Sequence, residues 1–253
     1  MNAWRWGKAW VKASRLPSQL YILTPLLAGQ LYALRLGYPW DWVVFILVHV
    51  FGLCLQLFIV FANDLADYPA DRNNRWFTLF SGGSRVLVDG QLSSRSLRWG
   101  AWIMGLGTLT FAGILAVRVG HIGLGKLGVL GILLLLMYSF RPVRLNYRGG
   151  GEWLQMLGTA VILPLFGWLA QAGTFRGFPF ALLGVLAPTM LACAIGTSLP
   201  DEWGDRASGK NSAAVFFGQR KAKWVTIALH GLTLGMVIVW PTDEKGLVGL
   251  SLV

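Results

Sequence analysis

Two short segments of the sequence carry carboxylates at spacings that suit metal binding, and the first also carries an amide. The first is NDLADYPAD, residues 63–71, and the second is DEWGDRASGK, residues 201–210. On a helix that turns by about 100° per residue, the acidic members of each segment can share one face. Mg²⁺ is typically held by a few carboxylates together with substrate phosphate oxygens and waters. We therefore predict that the two segments together form one Mg²⁺-diphosphate site. The residues that can share these faces are Asn63, Asp64, Asp67, Asp71, Asp201, Glu202 and Asp205.

The rest of the sequence predicts the membrane-spanning helices that would carry these segments. The chain is 55% hydrophobic and only 13% charged, whereas a soluble domain carries about 25% charged residues. Runs of roughly 20 apolar residues predict transmembrane spans, and seven occur at about 17–36, 42–62, 97–117, 121–140, 152–171, 179–199 and 224–240. We expect one all-α, multispanning membrane domain over 1–253 with seven to eight spans visible. It would contain an interfacial segment at 1–16, acidic loops at 63–96 and 200–223, and a truncated eighth span at 246–253.

The distribution of cations predicts the orientation of this bundle. With the N-terminus in the cytoplasm, 17 of the 22 Lys and Arg residues fall on the cytoplasmic side. Such an excess is typical of cytoplasmic loops. We therefore expect a bacterial-type inner (plasma) membrane protein whose N-terminus and acidic segments both face the cytoplasm. The same loops account for the net charge of +11, so no nucleic-acid partner is expected.

The predicted orientation places both acidic segments at C-terminal helix ends. Such ends are partially negative and disfavour each carboxylate by about 0.3–1 kcal/mol, so clustered acids there require a cation among them. Arg72, Arg85 and Lys210 are candidates for neutralising a leaving diphosphate. Pro69 predicts disturbed helix geometry from about Leu65 onward, which would allow Asp71 to lie on a loop. The alternative, solvated acids paired with nearby arginines, stays open.

At this point the sequence resembles a known family, the UbiA superfamily of intramembrane prenyltransferases. NDLADYPAD is similar to its first Asp-rich motif, NDxxDxxxD, and DEWGDRASGK to its second motif. SGGSRVLVDGQLS and YSFRPVRLNYRGGGEW resemble loops of the branch that prenylates 1,4-dihydroxy-2-naphthoate in menaquinone synthesis. SRLPSQLYILTPLLAGQ, which contains Arg15, resembles the first span of that branch.

The resemblance implies an all-helical bundle around a central cavity that opens sideways to lipid. It implies Mg²⁺-dependent transfer of a polyprenyl group from an allylic polyprenyl diphosphate to an aromatic acceptor. The motif match assigns metal binding to Asn63, Asp64, Asp67, Asp71, Asp201 and Asp205, and among these catalytic roles to Asp67, Asp71, Asp201 and Asp205. It assigns diphosphate binding to Arg15, Arg72, Arg85 and Lys210. The family usually has nine spans, so we expect a short member, a sequence that stops early, or a bundle that an additional subunit or oligomer completes.

Aromatic side chains near the cytoplasmic end could stabilise an allylic carbocation by about 0.5–2 kcal/mol each. Tyr68 and Tyr138 are the candidates. The sequence leaves the acceptor open among 1,4-dihydroxy-2-naphthoate, 4-hydroxybenzoate, homogentisate, a chlorophyllide and a glycerol phosphate. Two other classes also stay open: an ion or metal transporter with carboxylate sites, and a non-catalytic lipid- or quinone-binding membrane subunit.

Overall fold

The computed structural model describes residues 3–74 and 83–239, and every regular element within them is helical. The all-α class is therefore confirmed, while the segment at 246–253 lies outside the described residues. The α-helices are α1 (Ala3–Ala13), α2 (Leu20–Arg35), α3 (Trp42–Asn73), α4 (Ser94–Val119), α5 (Gly123–Ser139), α6 (Leu145–Arg148), α7 (Gly151–Met156), α8 (Leu163–Ala172), α9 (Phe180–Ser198), α10 (Glu202–Ser208), α11 (Ala213–Phe217) and α12 (Gln219–Val239).

Five helical stretches within the described residues are long and apolar enough to cross a membrane. They are α3, α4, α9, α12 and the 22-residue helix Gly151–Ala172, in which a π-helical segment, Leu157–Ile162, joins α7 to α8. The other two predicted spans correspond to shorter helices, α2 with 16 residues and α5 with 17. The chain is thus an integral membrane protein, and its orientation remains a prediction.

Helix α3 begins and ends differently from the predicted span at 42–62. It begins where the Asp41 carboxylate accepts hydrogen bonds from the amides of Val43 and Val44, at 2.8 and 3.1 Å. It then continues through Pro69 to Asn73. The expectation that Asp71 could lie on a loop was therefore wrong. Although an interior proline removes an amide donor and crowds the carbonyl group of residue i−4, α3 is continuous here, so the acidic residues keep helical register.

Glycines allow the backbones of α2 and α8 to approach closely. A Cβ atom at Gly29 would lie 2.0 Å from the Pro164 carbonyl oxygen, and one at Gly167 would lie 2.1 Å from that of Leu26. Small residues are the usual means of close helix packing in membranes. Beside this contact the rings of Phe51 on α3 and Phe166 on α8 stack with centroids 3.9 Å apart. These contacts fix the three helices relative to one another.

The N-terminal helix α1 is amphipathic. Ala9 and Ala13 are buried, whereas Trp4 and Trp6 are exposed, and the indole of Trp10 packs edge-on against Phe61 of α3 with centroids 5.3 Å apart. Exposed aromatic residues on one face are typical of an interfacial helix. The pattern agrees with the interfacial segment predicted at 1–16, whose membrane location stays a prediction.

Candidate active site

One cavity of about 300 Å³ receives side chains from both acidic segments. It lies between α2, α3, α5, the Gly151–Ala172 helix, α9 and the loops around α10. The predicted metal-ligand candidates that line it are Asn63, Asp67, Asp71, Asp201 and Asp205. The two segments, separated by more than a hundred residues in sequence, thus meet in space. In α3 the shared face follows directly from the unbroken helix.

Lys210 links the two segments directly. Its Nζ atom lies 2.8 Å from Asp67 Oδ2 and 3.6 Å from Asp205 Oδ1. A second link joins the end of α3 to the other segment, because Asn74 Nδ2 donates a hydrogen bond of 3.0 Å to Asp201 Oδ1. Lys210 is therefore a cation among clustered acids, as the helix-end argument requires.

Burial sets the protonation of the side chains in the second segment. It raises the pKa of Asp205 to about 6, and Lys210 only partly opposes this shift. Burial alone would lower the pKa of Lys210, but the carboxylates of Asp67 and Asp205 outweigh it and raise that pKa above its ordinary value. The lysine is thus held charged between the two acidic segments.

Asp64 does not line the cavity, unlike the other predicted ligands. It is buried, accepts hydrogen bonds from the Arg15 guanidinium and the Ser84 hydroxyl, and accepts a third from the Ser84 amide at 3.3 Å. These donors occupy both carboxylate oxygens, so Asp64 joins the N-terminal region and the loop after residue 82 to α3. Arg15 lines the cavity as expected, although its charge is paired with Asp64.

Three other predicted residues lie away from the cavity. Tyr68 and Arg72 are exposed, because each is rotated by about 100° along α3 from the acidic residue that precedes it. Arg85 donates hydrogen bonds to the carbonyl oxygens of Asp71 and Asn74, at 3.0 and 3.2 Å. It therefore caps the C-terminal end of α3, where a cation is favoured by the helix dipole. The structure does not bring these three side chains to the site.

Tyr138 does line the cavity, close to the acidic residues. Its ring packs over Gly151, where a Cβ atom would lie 2.8 Å from Tyr138 Cε2. Asn146, which the sequence did not single out, also lines the cavity and donates from Nδ2 to Asp67 Oδ1 at 3.4 Å. A lone asparagine in the short helix α6 carries no spacing pattern that could have predicted this contact.

A second set of residues missed by sequence analysis forms a polar wall on the Gly151–Ala172 helix. Glu152, Gln155 and Thr159 all line the cavity. Their spacing of i, i+3 and i+7 places them on one helical face. That spacing within an apolar span was the available signal.

The residues present fit Mg²⁺. The donors are carboxylate oxygens, which are the hard ligands that Mg²⁺ prefers, and no described residue donates a hydrogen bond to the Asp71 carboxylate on the cavity wall. Within the described ranges, no three acidic, His or Cys side chains converge closely enough to hold a metal by themselves. Diphosphate oxygens and waters would therefore have to complete the coordination.

The chain has a helical membrane fold in which two acidic segments meet in one cavity. Its fold is similar to a UbiA homolog from Archaeoglobus fulgidus bound to GPP and Mg²⁺, with a TM-score of 0.73, 17% identity, and coverage of 96% of this chain and 83% of that chain. A UbiA homolog from Aeropyrum pernix K1 gives a TM-score of 0.70 at 18% identity, covering 92% of this chain and 80% of that chain. Residues 22–253 match the UbiA prenyltransferase family, and the chain belongs to it.

The curated relatives indicate a branch other than the expected menaquinone branch. The chain is 29% identical over 184 residues to the chloroplastic chlorophyll synthase of Arabidopsis thaliana, an alignment that covers 72% of this chain and 46% of that protein. It is 29% identical over 187 residues to the enzyme of the same name from Oryza sativa subsp. japonica, covering 72% and 47%. The chain thus spans about half the length of the curated relatives it matches.

Proposed function

We propose that this chain catalyses Mg²⁺-dependent transfer of a polyprenyl group from an allylic polyprenyl diphosphate to a lipophilic acceptor. The observation that carries the proposal is the meeting of two acidic segments in one cavity, bridged by Lys210 at 2.8 Å from Asp67 and 3.6 Å from Asp205. The fold relatives support the donor, because one of them is described as bound to GPP and Mg²⁺.

In this mechanism the acidic residues hold the metal and the basic residues hold the diphosphate. Asp67, Asp71, Asp201 and Asp205 would bind Mg²⁺, which stabilises the negative charge that develops on the leaving diphosphate. Lys210 lies at the junction of the two segments, where its ammonium group can donate to diphosphate oxygens as a compact point charge.

The remainder of the cavity wall suits an allylic carbocation and its apolar tail. Tyr138 presents an aromatic ring beside the acidic residues, and aromatic rings stabilise cations by about 0.5–2 kcal/mol. Leu55, Ile59, Leu134 and Leu135 supply an apolar surface that can hold the polyprenyl chain. Exclusion of water by this surface would protect the cation from hydrolysis.

The chlorophyll synthases among the relatives favour a chlorophyllide as the acceptor. A second candidate is 1,4-dihydroxy-2-naphthoate, because residues 81–93 and 138–153 resemble loops of the enzymes that prenylate it. Both are aromatic and can reach the cavity from the bilayer.

The test is an assay of purified protein with a prenyl diphosphate and each acceptor, in Mg²⁺ or in EDTA. We expect product only with Mg²⁺, and a decrease of about 100-fold or more in Asp67→Asn and Asp201→Asn, because charge stabilisation of the leaving group is lost. Glu202→Gln is the matched control, since Glu202 belongs to the second segment but pairs with Arg206 at 2.8 Å outside the cavity. Metal-independent product, or full activity of both Asp variants, would refute the proposal.

A further inference from the structure

The polar wall formed by Glu152, Gln155 and Thr159 has no role in holding the diphosphate as described above. It lies on a helix that crosses the apolar part of the bundle, and polar side chains within a span are costly unless they are paired or functional. Thr159 lies within the π-helical turn Leu157–Ile162, and such turns are frequent at functional sites. The wall therefore merits a functional explanation.

Two of the three side chains retain unused hydrogen-bonding capacity. Glu152 Oε1 accepts a 2.6 Å bond from the Ala213 amide, and no described Lys or Arg lies within ion-pair distance of this carboxylate. The Gln155 amide makes no hydrogen bond with any described residue, whereas the Thr159 hydroxyl already donates to the Gln155 carbonyl oxygen at 2.8 Å. Glu152 Oε2 and the Gln155 amide are thus available to a ligand.

The position of these two groups fits the second substrate of a transfer reaction. Glu152 follows Gly151, over which the Tyr138 ring packs, and both side chains line the same cavity as Lys210. The wall extends from there along the helix away from the acidic residues. A molecule bound to it would lie beside the Tyr138 ring, where the allylic cation of the proposed reaction would form.

We infer that Glu152 and Gln155 form the acceptor subsite and select an acceptor that offers a hydroxyl group. This inference rests on the proposed prenyl transfer and, of the two acceptors named there, favours 1,4-dihydroxy-2-naphthoate over a chlorophyllide. Glu152 Oε2 can only accept a hydrogen bond while it is ionised, so it requires a donor such as a phenol or hydroquinone O–H. An ionised carboxylate as the reacting group would bring like charge next to Glu152, which is unfavourable. Gln155 can donate to or accept from a second oxygen of the same acceptor.

The inference is tested with Glu152→Gln and Gln155→Leu, using 1,4-dihydroxy-2-naphthoate and 4-hydroxybenzoate as probe acceptors. We expect each variant to raise the acceptor KM by about 10-fold, the effect of losing one strong hydrogen bond, with the KM for prenyl diphosphate unchanged. Glu152→Gln keeps an oxygen for the Ala213 amide, so it separates acceptor binding from loop packing. Trp153→Phe is the matched control, because Trp153 lies between the two residues and is 61% exposed.

The possible results separate this inference from the proposed function. Absence of Mg²⁺-dependent prenyl diphosphate binding and turnover would refute the proposed function and the subsite with it. If prenyl diphosphate binding is retained, either of two results would refute the subsite alone. One is an unchanged acceptor KM in both variants, and the other is turnover of a chlorophyllide but of no hydroxyl acceptor. A parallel rise in both KM values would indicate a structural role for the wall and would also refute the subsite.

Discussion

Replacing Lys210 with methionine tests the cation that joins the two acidic segments. The Lys210 side chain is only 12% exposed, and its ammonium group lies 2.8 Å from Asp67 and 3.6 Å from Asp205. Methionine has a similar length and can fill the same space without charge. Because two buried carboxylates then lose their partner, we expect the metal-free variant to be less stable than the wild type.

The magnitude follows from the two distances. With an effective dielectric constant of about 20, the contacts are worth about 6 and about 5 kcal/mol before desolvation is subtracted. Removing one partner of a buried ion pair typically costs about 3–5 kcal/mol. We expect the low end, about 3 kcal/mol, because Asp205, whose pKa burial raises to about 6, can take up a proton in the variant. For a chain of this size that loss lowers Tm by about 6–12 °C.

Mg²⁺ should reverse most of this loss. In the wild type the metal competes with the ammonium group for Asp67 and Asp205, whereas in Lys210→Met it meets no such competitor. Thermal unfolding in detergent, with EDTA or with Mg²⁺, should therefore show a larger Mg²⁺-induced rise in Tm for the variant. Lys221→Met on exposed α12 is the matched control. An equal Mg²⁺-induced rise in Tm in the wild type and in Lys210→Met would refute the idea that Lys210 occupies the position of a metal ion.

Three further predictions address residues around the same cavity. Asp64→Asn should lower the free energy of unfolding by about 3 kcal/mol, because a partly buried arginine loses its partner. The variant should still bind the same number of Mg²⁺ ions in calorimetry, and loss of a metal site would contradict this prediction. Gly83→Ala should abolish most prenyl transfer, because the new Cβ atom would lie 2.1 Å from Asp71 Oδ2, at a φ of +71°. Gly90→Ala is the control and should retain activity, because Gly90 has a similar φ of +64° but open space around it. Equal losses of activity in both variants would show that the clash with Asp71 is not the cause. The pKa of Asp205 is raised from 3.8 to about 6 in the folded protein. Between these two pH values the folded metal-free protein keeps a proton that the unfolded chain has lost. Its free energy of unfolding should therefore fall as the pH rises from about 4 to about 6. Mg²⁺ affinity should weaken below about pH 6 in pH-dependent titrations, and a flat profile there would contradict this assignment.

The spacing of the acidic residues carried most of the predictable information about the site. Asn63, Asp64, Asp67 and Asp71 were expected on one helical face, and all of them except Asp64 line the cavity. This worked because helical periodicity is local and α3 keeps its geometry through Pro69. The disturbance of helix geometry expected from Leu65 onward does not occur. The sequence could not show that Arg85 would donate hydrogen bonds to the carbonyl oxygens at the end of that helix.

Assignments that depended on long-range contacts were less predictable. Arg15, Arg72 and Arg85 were all predicted as diphosphate ligands. Arg72 follows the first acidic segment, Arg85 lies beside Gly82 and Gly83, and Arg15 was assigned through the family resemblance. In the structure one pairs with Asp64, one is exposed and one caps a helix. Each outcome depends on how the loop after residue 82 and the N-terminal region fold onto α3, which no local pattern records.

The polar wall illustrates a different limit. Glu152 and Gln155 occur singly in an apolar span, so neither forms a cluster that would suggest metal or phosphate chemistry. Their significance arises only because the helix turns them towards a cavity also lined by Lys210 and Tyr138. A search for polar residues at spacings of three, four and seven within predicted spans would have found them.

Clustered acids at the C-terminal ends of helices require positive charge nearby, and described side chains of this chain supply much of it. Arg15 pairs with Asp64, Lys210 bridges Asp67 and Asp205, and Arg85 caps the end of α3. Asp71 differs, because its carboxylate lines the cavity and receives no hydrogen bond from the described residues. A divalent ion held together with substrate phosphate oxygens would add positive charge beside this carboxylate.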